Sequence, residues 1–190
     1  MKIEFIIPTY NRPHQLMTVI SSIFSQTIDL WKVHVVADAV YPGYQKVKDF
    51  FEGDERIKFT ELNGPHKDWG HTPRNYGLEH ATEEWVVMTG DDNYYVPTFV
   101  SEMLKQSQGK HFIYCDMVHN AFGYMPVRSN IEKGQIDIGN MMFKPELAKG
   151  VELDKTDYNA DWTFINRYRT KQWFEGDGFH KVNKVLYVHN

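Results

Sequence analysis

Two adjacent carboxylates, Asp91 and Asp92, follow an apolar run from Trp85 to Met88, with only Thr89 and Gly90 between them and the run. The run predicts an interior strand of a parallel sheet, whose carboxyl end opens into the crevice where open α/β sheets place their ligands. Side-by-side carboxylates repel, and a hard divalent cation such as Mg²⁺ or Mn²⁺ relieves that repulsion. The pair therefore predicts a cation site, with an exposed acidic turn as the alternative.

Polar groups also follow the first predicted strand, in the loop Pro8-Thr9-Tyr10-Asn11-Arg12. This loop lacks the Gly-rich dinucleotide fingerprint, and no Walker pattern occurs in the chain, which excludes dehydrogenase and P-loop classes. Its hydroxyl, ring and amide, ahead of a helix amino end that favours anions, suit a nucleotide base and ribose. The second strand ends at Asp38, whose carboxylate could accept a hydrogen bond from a uracil or thymine ring nitrogen or simply cap a helix or turn.

The elements that must position these residues alternate strand and helix through the first half of the chain, so the expected fold class is α/β with a mostly parallel central sheet. After residue 116 the pattern changes to Gly-rich, hairpin-like segments, which predicts a smaller mixed half on the far side of a cleft. The predicted strands are 3–8, 33–37, 57–60, 85–88, 112–116 and 182–188. The predicted helices are 13–25, 45–51, 73–81, 97–108 and 162–169, the fourth begun by its proline.

Length and composition exclude several classes of protein. With 190 residues, 42% of them hydrophobic, we expect a single domain over 1–190, with a nucleotide half about 1–95 and an acceptor half about 96–190. A net charge of −4 argues against nucleic acid as a partner. The lone Cys115 excludes an internal disulfide. Without a signal-peptide pattern or a bilayer-length apolar run, we expect a soluble, cytoplasmic protein.

Three segments together carry a family resemblance: Ile6-Ile7-Pro8-Thr9-Tyr10-Asn11-Arg12, then Arg74-Asn75-Tyr76-Gly77-Leu78, then the acids. Their order and spacing resemble GT-A fold glycosyltransferases of family 2. The resemblance implies a hexosyltransferase-type enzyme that moves a sugar from a nucleotide-diphosphate donor, most simply a UDP-sugar, to a glycan or glycoconjugate. The donor contacts that it implies are Pro8, Thr9, Tyr10, Arg12, Asp38 and Asp91 for the nucleotide, and Arg74 with His71 for the phosphates or sugar. A salt-bridged surface arginine is the alternative for Arg74.

The metal motif of that family is Asp-x-Asp a few residues before a proline that matches Pro97. Aligning on this proline puts Gly90 where the first acid is expected, so the resemblance implies that Asp92 binds Mn²⁺ or Mg²⁺ and that Asp91 contacts the ribose. The terminal segment Leu186-Tyr187-Val188-His189 is similar to the late strand whose histidine completes the metal site. A frayed carboxyl terminus is the alternative for His189.

Two further segments resemble the sugar and acceptor side of the family. Asp137 to Phe143 is similar to the loop that lines the donor sugar, which implies contacts from Gly139 and Asn140, although a β-bulge also explains the glycine. Asp161 aligns with the second acid of a Glu-Asp pair whose acid acts as base in inverting members. A helix dipole would hold it ionised, and an N-cap role is the alternative.

The acceptor side leaves other functions open. Aromatic rings would suit a glycan surface, namely those of Tyr94, Trp162 and Trp173. A retaining or donor-hydrolysing enzyme would leave Asp161 only structural. A non-catalytic sugar-nucleotide or carbohydrate-binding module would fit the missing first acid, and the chain could be one domain of a longer protein.

Overall fold

The computed structural model of the protein describes residues 1–172 and 178–190, and this part of the chain forms a nine-stranded sheet flanked by helices. No helix within it combines the length and apolar character that crossing a bilayer requires. The strands are β1 (Ile3–Thr9), β2 (Trp31–Ala37), β3 (Ile57–Glu61), β4 (Trp85–Met88), β5 (Tyr94–Tyr95), β6 (Phe112–His119), β7 (Met125–Val127), β8 (Met141–Phe143) and β9 (Phe179–His189). The helices are α1 (Pro13–Phe24), α2 (Tyr44–Phe50), α3 (His71–Glu79), α4 (Phe99–Lys105) and α5 (Ala160–Gln172).

The sheet runs β3-β2-β1-β4-β8-β6-β9-β5, with β7 paired to β6. Strands β1 to β4 are mutually parallel, so their carboxyl ends meet at one edge, as expected. On its other side β4 pairs antiparallel with β8, through Val86 and Phe143. We expected parallel neighbours for β4, and this expectation is wrong on the side of β8. The second half is mixed, as expected: β6 pairs parallel with β9 and antiparallel with β7 and β8.

The fourth helix begins later than expected because tertiary contacts hold the preceding residues. Val96 N donates to the Leu186 carbonyl, and the Pro97 carbonyl accepts from Thr27 N. These bonds keep residues 96–97 tied to β9 and to the loop after α1. The helix therefore starts at Phe99 instead of at the proline.

Two apolar layers cover the two faces of the sheet, because successive residues of a strand point to opposite sides. One layer joins Phe5 and Val35 to the buried face of α1. The other joins Ile6 and Met88 to α5. Strands buried on both faces are the reason that the first strands appear as nearly continuous apolar runs.

Helix α3 approaches β1 closely at Gly77. A Cβ added to Gly77 would lie 2.3 Å from Ile6 Cγ2, so only glycine lets the helix sit at this distance. The same helix carries Arg74 three residues earlier. The position of that guanidinium therefore depends on the close helix contact.

We expect Gly77→Ala to destabilise the protein by about 1–3 kcal/mol, because the added methyl group must displace Ile6 or the helix. Chemical denaturation measures the change. The control is Glu79→Ala on the exposed side of the same helix, expected to stay within about 0.5 kcal/mol. Equal stability of Gly77→Ala and the control would contradict the close contact.

Candidate functional site

The carboxyl ends of β1, β2 and β4 open into a cavity of about 530 Å³. Nine of the predicted site residues line it: Pro8, Thr9, Tyr10, Arg12, Asp38, Arg74, Asp91, Asp92 and His189. The other four, His71, Gly139, Asn140 and Asp161, are not among the lining residues. The fold thus brings together side chains that are up to 181 residues apart in sequence, from Pro8 to His189.

The acidic pair is held by the first loop. Asp91 Oδ2 accepts a 2.8 Å hydrogen bond from Thr9 Oγ1, and that hydroxyl lies 2.9 Å from the Tyr41 hydroxyl. Arg12 Nη1 lies 3.4 Å from Asp91 Oδ1 and also pairs with Asp92 Oδ2. Burial raises the pKa of Asp91 to about 6, although the Thr9 hydrogen bond and the Arg12 charge oppose the shift. Asp91 is buried, so the alternative of an exposed turn is wrong for it.

The missing first acid has a steric explanation. A Cβ on Gly90 would lie 2.8 Å from Asp92 Oδ1 and 2.9 Å from Asn93 Nδ2. Asn93 is itself fixed, because its Oδ1 accepts from the backbone N of Asn190 at the end of β9. A side chain at position 90 would therefore require Asp92 or Asn93 to move.

Arg74 lines the cavity and forms no ion pair with a carboxylate of the described residues. Its Nε donates to the Thr89 carbonyl at 3.1 Å and its Nη1 to the Trp69 carbonyl at 2.9 Å. No carboxylate of the described residues lies within 4.0 Å of its guanidinium, so the alternative of a salt-bridged surface arginine is wrong. Burial lowers the pKa of Arg74, and the nearby carboxylates oppose this shift, Asp137 most strongly. The guanidinium thus keeps charge and donors available towards the cavity.

Asp161 is the second residue of α5, and its Oδ1 accepts from Trp162 N at 2.7 Å. Burial, and then the charge of Asp137, raise the pKa of Asp161 to about 6. Burial outweighs the backbone hydrogen bonds, so the pKa is raised although the helix position favours the charged form, and the carboxylate is ionised above about pH 6. A carboxylate that takes up a proton near neutral pH is suited to general-base chemistry.

The structure gives Asn140 and Gly139 packing roles instead of cavity contacts. Asn140 Nδ2 donates to the Cys115 carbonyl at 2.7 Å and to Ser129 Oγ at 2.8 Å, and the side chain is fully buried. A Cβ on Gly139 would lie 2.4 Å from the Tyr187 hydroxyl oxygen. The glycine therefore admits a tyrosine ring, and direct sugar contacts by these two residues are not supported.

His71 also holds neighbouring segments in place and does not line the cavity. It is buried at the first turn of α3, and its Nε2 lies 3.1 Å from the Asp157 carbonyl oxygen. This contact ties α3 to the loop that leads into α5. His71 therefore positions Arg74 and Asp161 relative to each other without lining the cavity.

Asp38, which the sequence singled out, accepts from the backbone N of His66 at 2.9 Å and pairs with its Nδ1. Asp137 lines the cavity but was not singled out from the sequence. Asp137 accepts from Tyr187 Oη at 2.7 Å and faces His189 Nε2 at 3.4 Å. The glycine motif pointed to this segment, but no local pattern marks Asp137 as the acid that faces the cavity.

The exposed rings at the rim differ from those expected. Trp69 and Tyr158 line the cavity, are 54% and 73% exposed, and meet edge to face at 5.7 Å between ring centres. Tyr94 and Trp162 are partly buried, and Trp173 lies outside the described residues. A strained backbone conformation at Trp69, with φ +56°, presents its ring, and no sequence pattern signals such a conformation.

Residues 4–172 match the profile of the family described as Glycosyl transferase family 2. The chain belongs to this family. An uncharacterised glycosyltransferase of Bacillus subtilis, YwdF, is 29% identical over 120 residues, which are 61% of this chain and 42% of that protein. An uncharacterised glycosyltransferase of Haemophilus influenzae is 24% identical over 130 residues, 65% of this chain and 42% of that one. This family 2 chain thus spans less than half the length of these relatives.

The solved structures confirm the GT-A fold. The crystal structure of S. aureus TarS 1-349 superposes with a TM-score of 0.83 at 17% identity, over 100% of this chain and 60% of that one. The mannosyltransferase PcManGT from Pyrobaculum calidifontis, in complex with GDP-Man and Mn²⁺, gives a TM-score of 0.77 at 19% identity, over 99% and 56%. At these identities the likeness establishes the fold of this family 2 chain and nothing more.

The metal expected from the family can be tested against the donor set. Among residues 1–172 and 178–190, no three His, Cys, Asp or Glu side chains are arranged to hold a metal ion. His189 ends a paired strand opposite His119, so it is not frayed, and its buried Nδ1 has no hydrogen-bond partner in that part of the chain. The acidic oxygens are hard donors that fit Mg²⁺ or Mn²⁺ in kind, but Arg12 supplies the cation beside them.

We expect Asp161→Asn to stabilise the protein at about pH 8 and to have less effect at about pH 4. The raised pKa means that the stability contributed by Asp161 is present below its ordinary value of 3.8 and is lost as pH rises through about 6. Asparagine cannot ionise, so the variant does not lose this stability at high pH. Thermal unfolding of wild type and variant at the two pH values measures it.

The control for this prediction is Asp157→Asn, four residues away. The hydrogen bond from Thr163 lowers the pKa of Asp157, so its contribution is present above 3.8 and is lost as pH falls. This variant should therefore lose thermal stability at the higher pH. If both variants changed thermal stability in the same direction at the higher pH, the opposite pKa shifts of Asp161 and Asp157 would be contradicted.

Proposed function

We propose that this chain is a metal-dependent glycosyltransferase domain that moves a sugar from a nucleotide-diphosphate sugar to a glycan hydroxyl with inversion. The observation that carries the proposal is the cavity itself. It gathers a cation without a paired carboxylate, Arg74, and an acidic pair at the strand ends, and Asp161 lies close enough for the charges of the lining residues Asp137 and Arg74 to shift its pKa. A leaving diphosphate needs positive charge, and an attacking hydroxyl needs a base.

The donor nucleotide is proposed to lie across the first loop and the end of β2. Tyr10 is 47% exposed and offers a ring face to the base, and Asp38 beside it offers a carboxylate to a base nitrogen. Asp91 would contact the ribose, and Arg74 the phosphates. A UDP-sugar is the favoured donor, which is supported by structures of TarS in complex with UDP and with UDP-GlcNAc.

A divalent cation, Mn²⁺ or Mg²⁺, belongs to the proposal, with Asp92 and His189 as its protein ligands. When bound, it would offset the charge that builds on the leaving diphosphate. The mannosyltransferase PcManGT, solved with GDP-Man and Mn²⁺, supports the use of such an ion on this fold. The orphaned Nδ1 of His189 is an observation of this chain that fits the assignment.

Asp161 is proposed to take the proton of the acceptor hydroxyl. As that oxygen attacks the anomeric carbon, the bond from this carbon to the diphosphate oxygen breaks on the opposite face, and the proton ends on the Asp161 carboxyl group. Because the pKa of Asp161 is about 6, the base form is present above that pH and is lost below it. A single displacement of this kind inverts the anomeric centre.

The acceptor is proposed to be a glycan or glycoconjugate. Trp69 and Tyr158 present exposed rings at the cavity rim, and Tyr158 precedes the proposed base by three residues. Flat rings with a polar edge pack against the apolar faces of sugars while remaining hydrated. The remaining length of the relatives leaves room for further domains of the same polypeptide.

The donor is tested by calorimetric titration of UDP, GDP, dTDP and their common sugar conjugates, with and without Mn²⁺. We expect one nucleotide to bind tightly, and only when the metal is present. In Asp92→Ala the metal should no longer raise the affinity for this nucleotide. The physical reason is that the cation links the carboxylate to the phosphates. Absence of metal-dependent binding to every nucleotide would refute the proposed mechanism.

The base is tested by Asp161→Asn, which removes the proton acceptor but keeps its shape. We expect transfer to fall by about 10²- to 10⁴-fold while nucleotide affinity is unchanged. Asp154→Asn, at a half-buried acid in the same loop region that does not line the cavity, is the control and should retain transfer. Unchanged transfer in Asp161→Asn, or a product that retains the donor's anomeric configuration, would remove Asp161 from this role.

A further inference from the structure

We propose that Arg12 is an exchangeable counter-ion, which holds the acidic pair in the nucleotide-free protein and is displaced when the divalent cation binds. The proposal rests on the metal assignment made above and adds a residue that controls it. Its basis is the contact of one guanidinium nitrogen, Arg12 Nη1, with Asp91 Oδ1 at 3.4 Å and with Asp92 Oδ2. Asp92, the proposed metal ligand, is thus already paired with a cation of the protein itself.

The acids need a cation whether or not a metal is bound. Asp91 is buried, and Asp92 next to it raises the cost of ionising Asp91. Without a nearby positive charge, two adjacent carboxylates in this setting would repel each other strongly. Arg12 supplies that charge from the protein itself.

Arg12 can also leave at low cost. Its side chain is 50% exposed, and its guanidinium makes no other ion pair among the described residues. A half-exposed ion pair is weak because water screens it, so a divalent ion can replace it.

Exchange has a consequence for binding. A metal ion on Asp92 would bring further positive charge beside the Arg12 guanidinium, and this repulsion means that Arg12 lowers the affinity of the free protein for metal. A nucleotide diphosphate brings phosphate oxygens to which the released guanidinium can move. Metal and nucleotide should therefore bind cooperatively, each raising the affinity for the other by the same factor.

The test measures Mn²⁺ binding to the full chain by calorimetry, without nucleotide and with saturating UDP. We expect Arg12→Gln to bind Mn²⁺ alone about five- to tenfold more tightly than wild type, and to gain less affinity from UDP. Arg128→Gln removes the same charge at an exposed arginine outside the cavity lining and should match wild type. Arg12→Lys keeps the charge without the forked geometry and should lie between Arg12→Gln and wild type.

The outcomes separate this inference from the function on which it rests. If wild type binds Mn²⁺ with UDP but Arg12→Gln binds Mn²⁺ alone no more tightly than Arg128→Gln, the counter-ion role is overturned and the proposed function stands. If wild type binds no Mn²⁺ with any nucleotide, the metal assignment and the counter-ion role both fail. Circular dichroism and thermal unfolding of each variant confirm that folded proteins are compared.

Discussion

The register between β1 and β4 is the constraint on which the rest of the site depends. Ile3 pairs with Trp85 and Ile6 with Met88, so the two strands end side by side and deliver Thr9 next to Asp91. Parallel pairing is possible because helices cover both faces of the sheet, which in turn requires strands that are apolar on both faces. The chemistry of the cavity is thus a consequence of how the first apolar runs of the chain pack.

An excess of acidic groups is the second organising feature of the site. Among the described residues, the cavity lining carries the carboxylates of Asp38, Asp68, Asp91, Asp92 and Asp137 and the cationic side chains of Arg12, Lys67 and Arg74. Asp161, outside the lining, adds a further carboxylate. Burial of the acids raises the pKa values of two of them to about 6. Such a site costs stability at neutral pH, and the same feature makes it receptive to a cation and to a proton from an acceptor.

The residues of the family motifs fall into two groups in this structure. Some line the cavity, and the others hold the surrounding segments in place. Gly77 and Gly139 admit a neighbouring side chain at distances that no other residue allows. His71 and Asn140 use their polar atoms to fasten loops outside the cavity lining. A motif therefore marks a segment that must be placed accurately, and only some of its side chains face the ligand.

The sequence by itself determined the alternation of strand and helix in the first half, the edge at which the polar residues collect, and the membership of Thr9, Asp38, Arg74 and Asp92 in one site. The alternation and the shared edge follow from local apolar patterns and from the rule that parallel strands end together. The place of Arg74 in the site is what the resemblance to the family implied. Only the tertiary structure decided that Arg12 pairs with the acids, that burial raises the pKa of Asp161, and that β8 runs antiparallel to β4. The physical reason is that ion pairing, desolvation and strand partners depend on residues far apart in the chain, which local patterns do not encode.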